Sequence, residues 1–206
     1  DILRLEEWAA GRGVNIIVDE SFVDFADIPE QTLLTQSIID EHKHLIVLKS
    51  ISKSFGVPGL RLGIIASADS DMIAAMKKDV SIWNINSFAE YYMQIIEKYK
   101  ADYEEAMSRF MDVRKRYVDK LTKIPALRVF PSQANYIMCH LDNGMSSRKL
   151  ADIMLNKYNI LIKDLSTKEG LNGGNYIRLS VKTDEENDVV AVSYTHLRAH
   201  ETTLHL

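Results

Sequence analysis

The residues able to do chemistry concentrate in one polar, glycine-rich run. It reads Ser50-Ile51-Ser52-Lys53-Ser54-Phe55-Gly56-Val57-Pro58-Gly59-Leu60-Arg61-Leu62-Gly63 and lies between two apolar segments. Taken alone, Lys53 could be a solvated turn lysine, since lysine is rarely buried. Its neighbours point elsewhere. Hydroxyls at Ser50 and Ser52, a primary amine at Lys53 and a guanidinium at Arg61, eight residues on, suit a ligand with an aldehyde at one end and a phosphate at the other. In that arrangement Arg61 clamps the phosphate. A nucleotide phosphate loop places its Lys and Ser or Thr directly after the glycines, whereas Lys53 precedes Gly56 and Gly59, and no GxGxxG follows any apolar run.

A carboxylate stands at a matching position. Val14-Asn15-Ile16-Ile17-Val18-Asp19 is a short apolar run ending in acid, and His44-Leu45-Ile46-Val47-Leu48-Lys49-Ser50 is a second run that leads to Lys53. Both have the look of fully buried parallel strands. Asp19 and Lys53 would then emerge at the same carboxyl edge, where ligands of α/β sheets bind. A carboxylate held against a pyridine nitrogen keeps it protonated, which makes the ring an electron sink for a carbanion at a substrate α-carbon.

The elements that must position these groups follow from punctuation and periodicity. Asp1 to Gly13 reads as a helix already under way, with Ile2, Leu3, Leu5 and Trp8 spaced for one face. A third apolar run, Leu60 to Ser67, follows the glycine-rich loop, giving an α/β layered domain. From about Asp69 the pattern is helical, and Phe88 to Lys123 contains no Gly or Pro, so one or two long helices should cross it. Beyond Pro125, short strands at LRVFPS, NYIMCHL, ILIKDL and NYIRLSV surround a helix near Ser147 to Tyr158 and form a smaller α+β unit. The predicted organisation is residues 1–95 as part of a larger domain, 96–123 as a connecting helix and 124–190 as a small domain.

The last sixteen residues, AVSYTHLRAHETTLHL, break this style and carry three of the six histidines. SYTHLRAHET resembles translated sequencing-adapter read-through, and residues 191–206 are expected to stand outside the fold. His196 and His200 are four apart, as a metal pair on a helix requires, but no third ligand is spaced to complete a site. No metal is expected.

Composition narrows the class. With 206 residues, 46% hydrophobic and 26% charged, the chain has a globular profile, and a net charge of −4 gives no basic field for nucleic acid. No run approaches the length of a membrane span, so neither nucleic acid nor a membrane is an expected partner. The single Cys139 lies in an apolar run, where a buried thiol is the ordinary reading, and a cytoplasmic setting is expected.

DESFVDF, SISKSFGVPGLRLG, WNINSFAE, PSQANYI and YIRLSVKTDEEN occur in this order over about residues 1 to 190. Together they resemble the class I/II aminotransferases, nearest the histidinol-phosphate branch. The resemblance implies fold type I, here the second half of the large parallel-sheet domain plus the small domain, pyridoxal 5'-phosphate as cofactor, and a homodimer. Lys53 resembles the lysine that carries the cofactor and then shuttles the α-proton. Asp19 matches the partner of the ring nitrogen, and Ser50, Ser52 and Arg61 match the phosphate contacts. Arg178 matches the arginine that grips the substrate carboxylate, and Asn135 lies close to that site in relatives. Alone, Arg178 would read as the solvent-facing residue of an alternating strand.

Two departures bear on function. Many relatives have DEAY where this chain has Phe22, so the tyrosine hydrogen bond to the cofactor's ring oxygen cannot form. The phenylalanine form also resembles decarboxylases of phosphorylated amino acids, in which Arg178 and Lys163 would meet anionic groups. The family's upstream phosphate loop, ring-stacking aromatic and NPxNPTG motif do not occur in the sequence, so this polypeptide alone is expected to fold poorly or hold the cofactor weakly. WNINSFAEYYMQ is similar to aminotransferase domains fused behind nucleotidyltransferase domains, which would make a small phosphorylated or phosphonylated carbonyl the amine acceptor. A reading from another class, a non-catalytic remnant, leaves Lys53, Asp19 and Arg178 without a reason to be kept.

Overall fold

The computed structural model describes residues 1–171 and 174–203, with residues 198–203 as backbone only. The chain divides into two compact units, Asp1–Met107 and Ser108–Leu206, the division falling inside the long helix that the uninterrupted stretch before Lys123 predicts.

In the first unit, α1 (Ile2–Ala10) leads to β1 (Ile16–Asp19), α2 (Gln36–Glu41), β2 (Leu45–Ser50) and β3 (Gly63–Ala66). Then come α3 (Ser70–Asp79), α4 (Ser87–Ile95), a 3-10 turn at Ile96–Tyr99 and the start of α5 (Lys100–Thr122). The sheet order is β1-β2-β3. β1 and β2 are parallel, with Ile16 opposite Leu45 and Asp19 opposite Leu48. β3 corrects the all-parallel expectation: it runs antiparallel to β2, with Ser50 opposite Gly63. The cause is the connection. A parallel return needs a crossover, normally a helix, whereas residues 51–62 hold only a 3-10 turn at Pro58–Leu60 and reverse through Arg61 in the left-handed region, φ +57°.

Leu45 and Val47 of β2 are buried with Leu33, and Leu3, Val18, Leu34, Ile38 and Ile39 pack on them. The expectation of fully buried strands holds for the start of β2, but Ile17 of β1 is 63% exposed. The predicted apolar face of α1 is likewise corrected. Ile2, Leu5 and Trp8 face solvent, while Glu6 and Ala9 are buried. Glu6 can be inside because its carboxylate is paired: Oε2 lies 2.6 Å from His42 Nδ1 and Oε1 accepts the His44 N–H at 3.1 Å. Apolar spacing alone could not anticipate that partner.

In the second unit the rest of α5 is followed by β4 (Leu127–Val129), β5 (Tyr136–Leu141), α6 (Ser147–Tyr158), β6 (Lys163–Asp164), β7 (Tyr176–Ser180) and α7 (Asp184–Thr203). The sheet order is β4-β5-β7-β6, with antiparallel neighbours. Alternation assigns the faces. Ile137, Cys139, Leu141, Ile177 and Leu179 point into a core shared with Tyr117, Leu121, Leu150 and Met154. Tyr136, Met138 and Arg178 occupy the other face. α6 starts where Ser146 accepts the Lys149 N–H at 3.2 Å and ends at Asn159 in the left-handed conformation, φ +57°. Burial pushes the Cys139 thiol up to about 12, in keeping with the inert buried role expected for it.

The sequence pattern sets residues 191–206 apart, yet α7 runs on to Thr203, and Tyr194 and Leu197 join the core beside partly buried Val190. Positions 190, 194 and 197 are spaced i, i+4 and i+7, which keeps them on one helix face. Arg116 forks onto Asp184 at 3.1 and 2.6 Å, and Lys120 pairs with Asp188, so the start of α7 is pinned to α5. The His200 side chain lies outside the described residues, and with it the spacing of a histidine pair.

Candidate active site

The first unit carries an open cleft of about 470 Å³ at the carboxyl ends of β1 and β2, lined by Asp19, Ser21, Ser50, Ser52, Arg61 and Gly63 among others. A larger hollow along α6, about 690 Å³, is lined by Arg148, Lys149, Asp152 and Lys157 without a comparable set of hydroxyls and a β-strand edge. Four of the residues singled out in the sequence therefore share one cleft.

Asp19 is the last residue of β1 and its side chain is solvent-exposed. Its Oδ1 accepts the Ser21 N–H at 2.9 Å. Hydrogen bonds from Ser21, side chain first and backbone second, hold the Asp19 carboxyl below the usual carboxylate range, and the positive charge of Lys53 adds to them against a desolvation that opposes it. Ser21 is 5% exposed, and its Oγ accepts the Ser50 N–H at 3.0 Å. One hydroxyl thus ties the end of β1 to the end of β2. Ser21 escaped the sequence reading. The available signal was a serine two residues after a strand-ending aspartate, the spacing of an Asx turn.

Lys53 projects from a turn just past β2. Gly56, at φ +66°, closes that turn with its N–H on the Lys53 carbonyl at 3.2 Å. The lysine Nζ lies 4.5 Å from the centroid of the Phe22 ring, a cation–π distance. Asp24, two residues beyond Phe22, pairs through Oδ1 with Lys49 Nζ at 2.6 Å. Lys53 has no carboxylate partner among the described residues and feels the charge of Asp19. Glu20, next to Asp19, is spent on structure: it accepts from Thr32 Oγ1 at 2.5 Å and from the Leu33 N–H at 2.6 Å.

Ser52 is buried, and its Oγ reaches the Leu62 carbonyl at a long 3.5 Å. Arg61 is exposed, with one guanidinium nitrogen 3.3 Å from the Pro58 carbonyl. The Asn86 side chain donates to the Leu60 carbonyl at 2.9 Å and steadies this turn from the start of α4. The cleft thus offers a carboxylate, two serine hydroxyls and a guanidinium with little internal pairing to break. That donor set fits a ring with a protonatable nitrogen and a phosphate.

The second unit holds the other predicted residues. Arg178 is exposed on β7, and its guanidinium lies 4.8 Å above the Tyr136 ring. Lys163 of β6 stands directly opposite it in register. Like charges in that relation repel, and neither has a carboxylate partner among the described residues, so the face is suited to anions. Asn135 is half-buried, and its carbonyl accepts the Val181 N–H at 3.0 Å, which fixes the start of β5 against the end of β7.

A parallel strand pair with a lysine turn at its carboxyl edge, an aspartate one strand away and a separate α+β unit defines the fold type I class of pyridoxal-phosphate enzymes. Residues 1–193 match the aminotransferase class I and II family, and the chain belongs to it. The match ends close to residue 190, where the motifs stop. The chain is 32% identical over 96% of its length to a CMP-5'-(3-aminopropyl)phosphonate synthase of Streptomyces rubellomurinus, covering 31% of that protein. It is 34% identical over 86% of its length to an L-serine phosphate decarboxylase of Sulfurospirillum multivorans, covering 46% of that protein. A histidinol-phosphate aminotransferase structure from Clostridium acetobutylicum superposes with a TM-score of 0.87 at 28% identity, covering 96% of this chain and 58% of that one. The chain thus spans about a third to a half of the curated relatives it matches, between 31% and 46% for those two. The family's cofactor is pyridoxal 5'-phosphate. Among the described residues no helix is long and apolar enough to cross a membrane.

Proposed function

We propose that this chain belongs to an aminotransferase that moves an amino group from an amino donor to a small keto or aldehyde acceptor, with Lys53 as the residue bonded to the cofactor. The observation that carries the reading is the cleft of Asp19, Ser50, Ser52 and Arg61, with Lys53 on the turn beside it. When bound, pyridoxal phosphate supplies the electron sink for chemistry at the substrate α-carbon.

The chain's own groups would do the rest. Asp19, held anionic, would keep a proton on the cofactor's ring nitrogen. Ser50 and Ser52 would donate to the phosphate, and Arg61 would fork onto it. The Lys53 amine would take the proton from the substrate α-carbon and deliver it to the cofactor carbon on the far side of the transferred nitrogen. Arg178 would hold the substrate carboxylate, with Asn135 fixing the strand end nearby, and Lys163 would hold a second anionic group. The relative from Streptomyces is named for a phosphonate product, which supports a phosphorylated or phosphonylated carbonyl as the acceptor. A homodimeric, cytoplasmic enzyme with small-molecule substrates is part of the same proposal.

One set of observations favours a second reaction on the same site. Phe22, whose ring lies 4.5 Å from Lys53 Nζ, carries no phenol hydroxyl, Lys163 and Arg178 are paired in register, and relatives include decarboxylases of serine phosphate and threonine phosphate. The competing activity is decarboxylation of a phosphorylated amino acid. The test supplies the full-length, cofactor-loaded protein with amino donors and with keto and aldehyde acceptors. Amino transfer with ping-pong kinetics supports the first reading. Carbon dioxide release that needs no acceptor replaces it with the second.

A further inference from the structure

The loop that presents Lys53 is gripped from behind by a residue of α5. The ring of Tyr103 stacks flat on Phe55, centroids 4.3 Å apart and planes 4° apart. Its hydroxyl is shut off from water, and its polar neighbours are Ser54 and Asp24. Ser54 follows Lys53 in the chain, and Asp24 lies two residues beyond Phe22. Tyr103 therefore touches both segments whose tips meet in the Lys53–Phe22 contact of 4.5 Å. Asp24 extends the set to β2 through Lys49, at 2.6 Å.

Simple packing does not account for this arrangement. Tyr103 Oη, Ser54 Oγ and Asp24 Oδ2 are each buried without a hydrogen bond of ordinary geometry, and a loop held only by apolar contact would not place three such atoms together. Burial, and after it the charge of Asp24, raises the Tyr103 hydroxyl to about 12, so it keeps its proton and remains a donor towards Asp24, while the Ser54 hydroxyl is placed to donate to it. The three groups stand together where α5, the Lys53 turn and the segment after Phe22 converge.

We infer that Tyr103 is a positioning residue for Lys53: its stack on Phe55 and its buried hydroxyl beside Asp24 and Ser54 hold the Lys53 turn against Phe22 and within the field of Asp19. The inference rests on the reading of Lys53 as the cofactor-bonded lysine. A supporting group of this kind sets the geometry of a reactive amine without touching substrate or cofactor.

The test reconstitutes the full-length protein with pyridoxal phosphate and follows the growth of the visible band of lysine-bound cofactor in wild type, Tyr103→Leu, Tyr103→Phe and Lys53→Ala. Circular dichroism checks folding. Tyr103→Leu should slow band growth and lower kcat by about tenfold with KM little changed, since a misplaced reactive group costs rate rather than binding. Tyr103→Phe keeps the stack and loses the hydroxyl, and should show about a threefold effect on both quantities. If the leucine variant unfolds, the phenylalanine variant alone decides. Wild-type band growth and kcat in the folded Tyr103 variants, with the band lost in Lys53→Ala, overturns the role of Tyr103 only. A band that survives Lys53→Ala overturns the assignment of Lys53, and this inference with it.

Discussion

The Ser21 hydroxyl accepts the Ser50 N–H at 3.0 Å, while Ser21 also bonds Asp19, so a single buried side chain connects the proposed ring-nitrogen partner on β1 to a proposed phosphate contact on β2. Removing the hydroxyl should therefore be felt at Asp19. Ser21 lowers the Asp19 carboxyl in the folded state from an ordinary value of 3.8. A depressed folded value contributes stability that is fully present above the unfolded value and is lost as pH falls through the folded one. Ser21→Ala should raise the Asp19 midpoint towards 3.8 in an NMR titration of the carboxyl carbon, and should shrink the loss of stability below that pH. An unmoved midpoint contradicts this account of the shift.

In the proposed site Phe22 would leave the cofactor's ring oxygen without a phenol donor. Phe22→Tyr supplies one beside the Lys53 turn, and a hydrogen bond to one protonation state of the lysine-bound cofactor shifts its titration, here by about one unit or more. The midpoint of the visible band against pH measures this directly. A superimposable titration would mean that residue 22 does not face the ring.

Arg178 and Lys163 face each other across β7 and β6. If both hold substrate anions, Arg178→Lys loses the forked contact and should raise KM by about tenfold or more. Lys163→Ala should weaken phosphorylated substrates while sparing unphosphorylated analogues. Equal losses on both substrate types would remove Lys163 from phosphate recognition.

The continuation of α7 can be tested by stability. Leu197 is buried in the core of the second unit, and Leu197→Ala should cost about 2–5 kcal/mol in denaturant unfolding. A neutral result would mean that the segment after residue 190 does not pack. Cys139 supplies a control in the same core: its thiol, raised to about 12, should resist an aromatic disulfide reagent at pH 8 until the unit unfolds.

Much of this fold is legible in the sequence, because local rules decide it. Short apolar runs ended by Asp19 and Ser50 give β1 and β2, and Ser146 with Asn159 punctuates α6 at the expected Ser147–Tyr158. What escaped depends on partners distant in the chain. The direction of β3 is set by a loop too short for a crossover, the buried face of α1 by His42 thirty-six residues from Glu6, and the grip on Lys53 by Tyr103 on a later helix. The site shows the same division. Lys53, Asp19, Ser50, Ser52 and Arg61 announce themselves by type and spacing, whereas Ser21 and Tyr103 support them through contacts that no motif displays.

The central claim is that Lys53 bonds the cofactor. Borohydride reduction of the full-length, cofactor-loaded protein followed by peptide mapping should place the reduced pyridoxyl label on Lys53, and Lys53→Ala should lose the label together with turnover by about three orders of magnitude or more. Label on Lys49 or any other lysine, or turnover that survives Lys53→Ala, would contradict it.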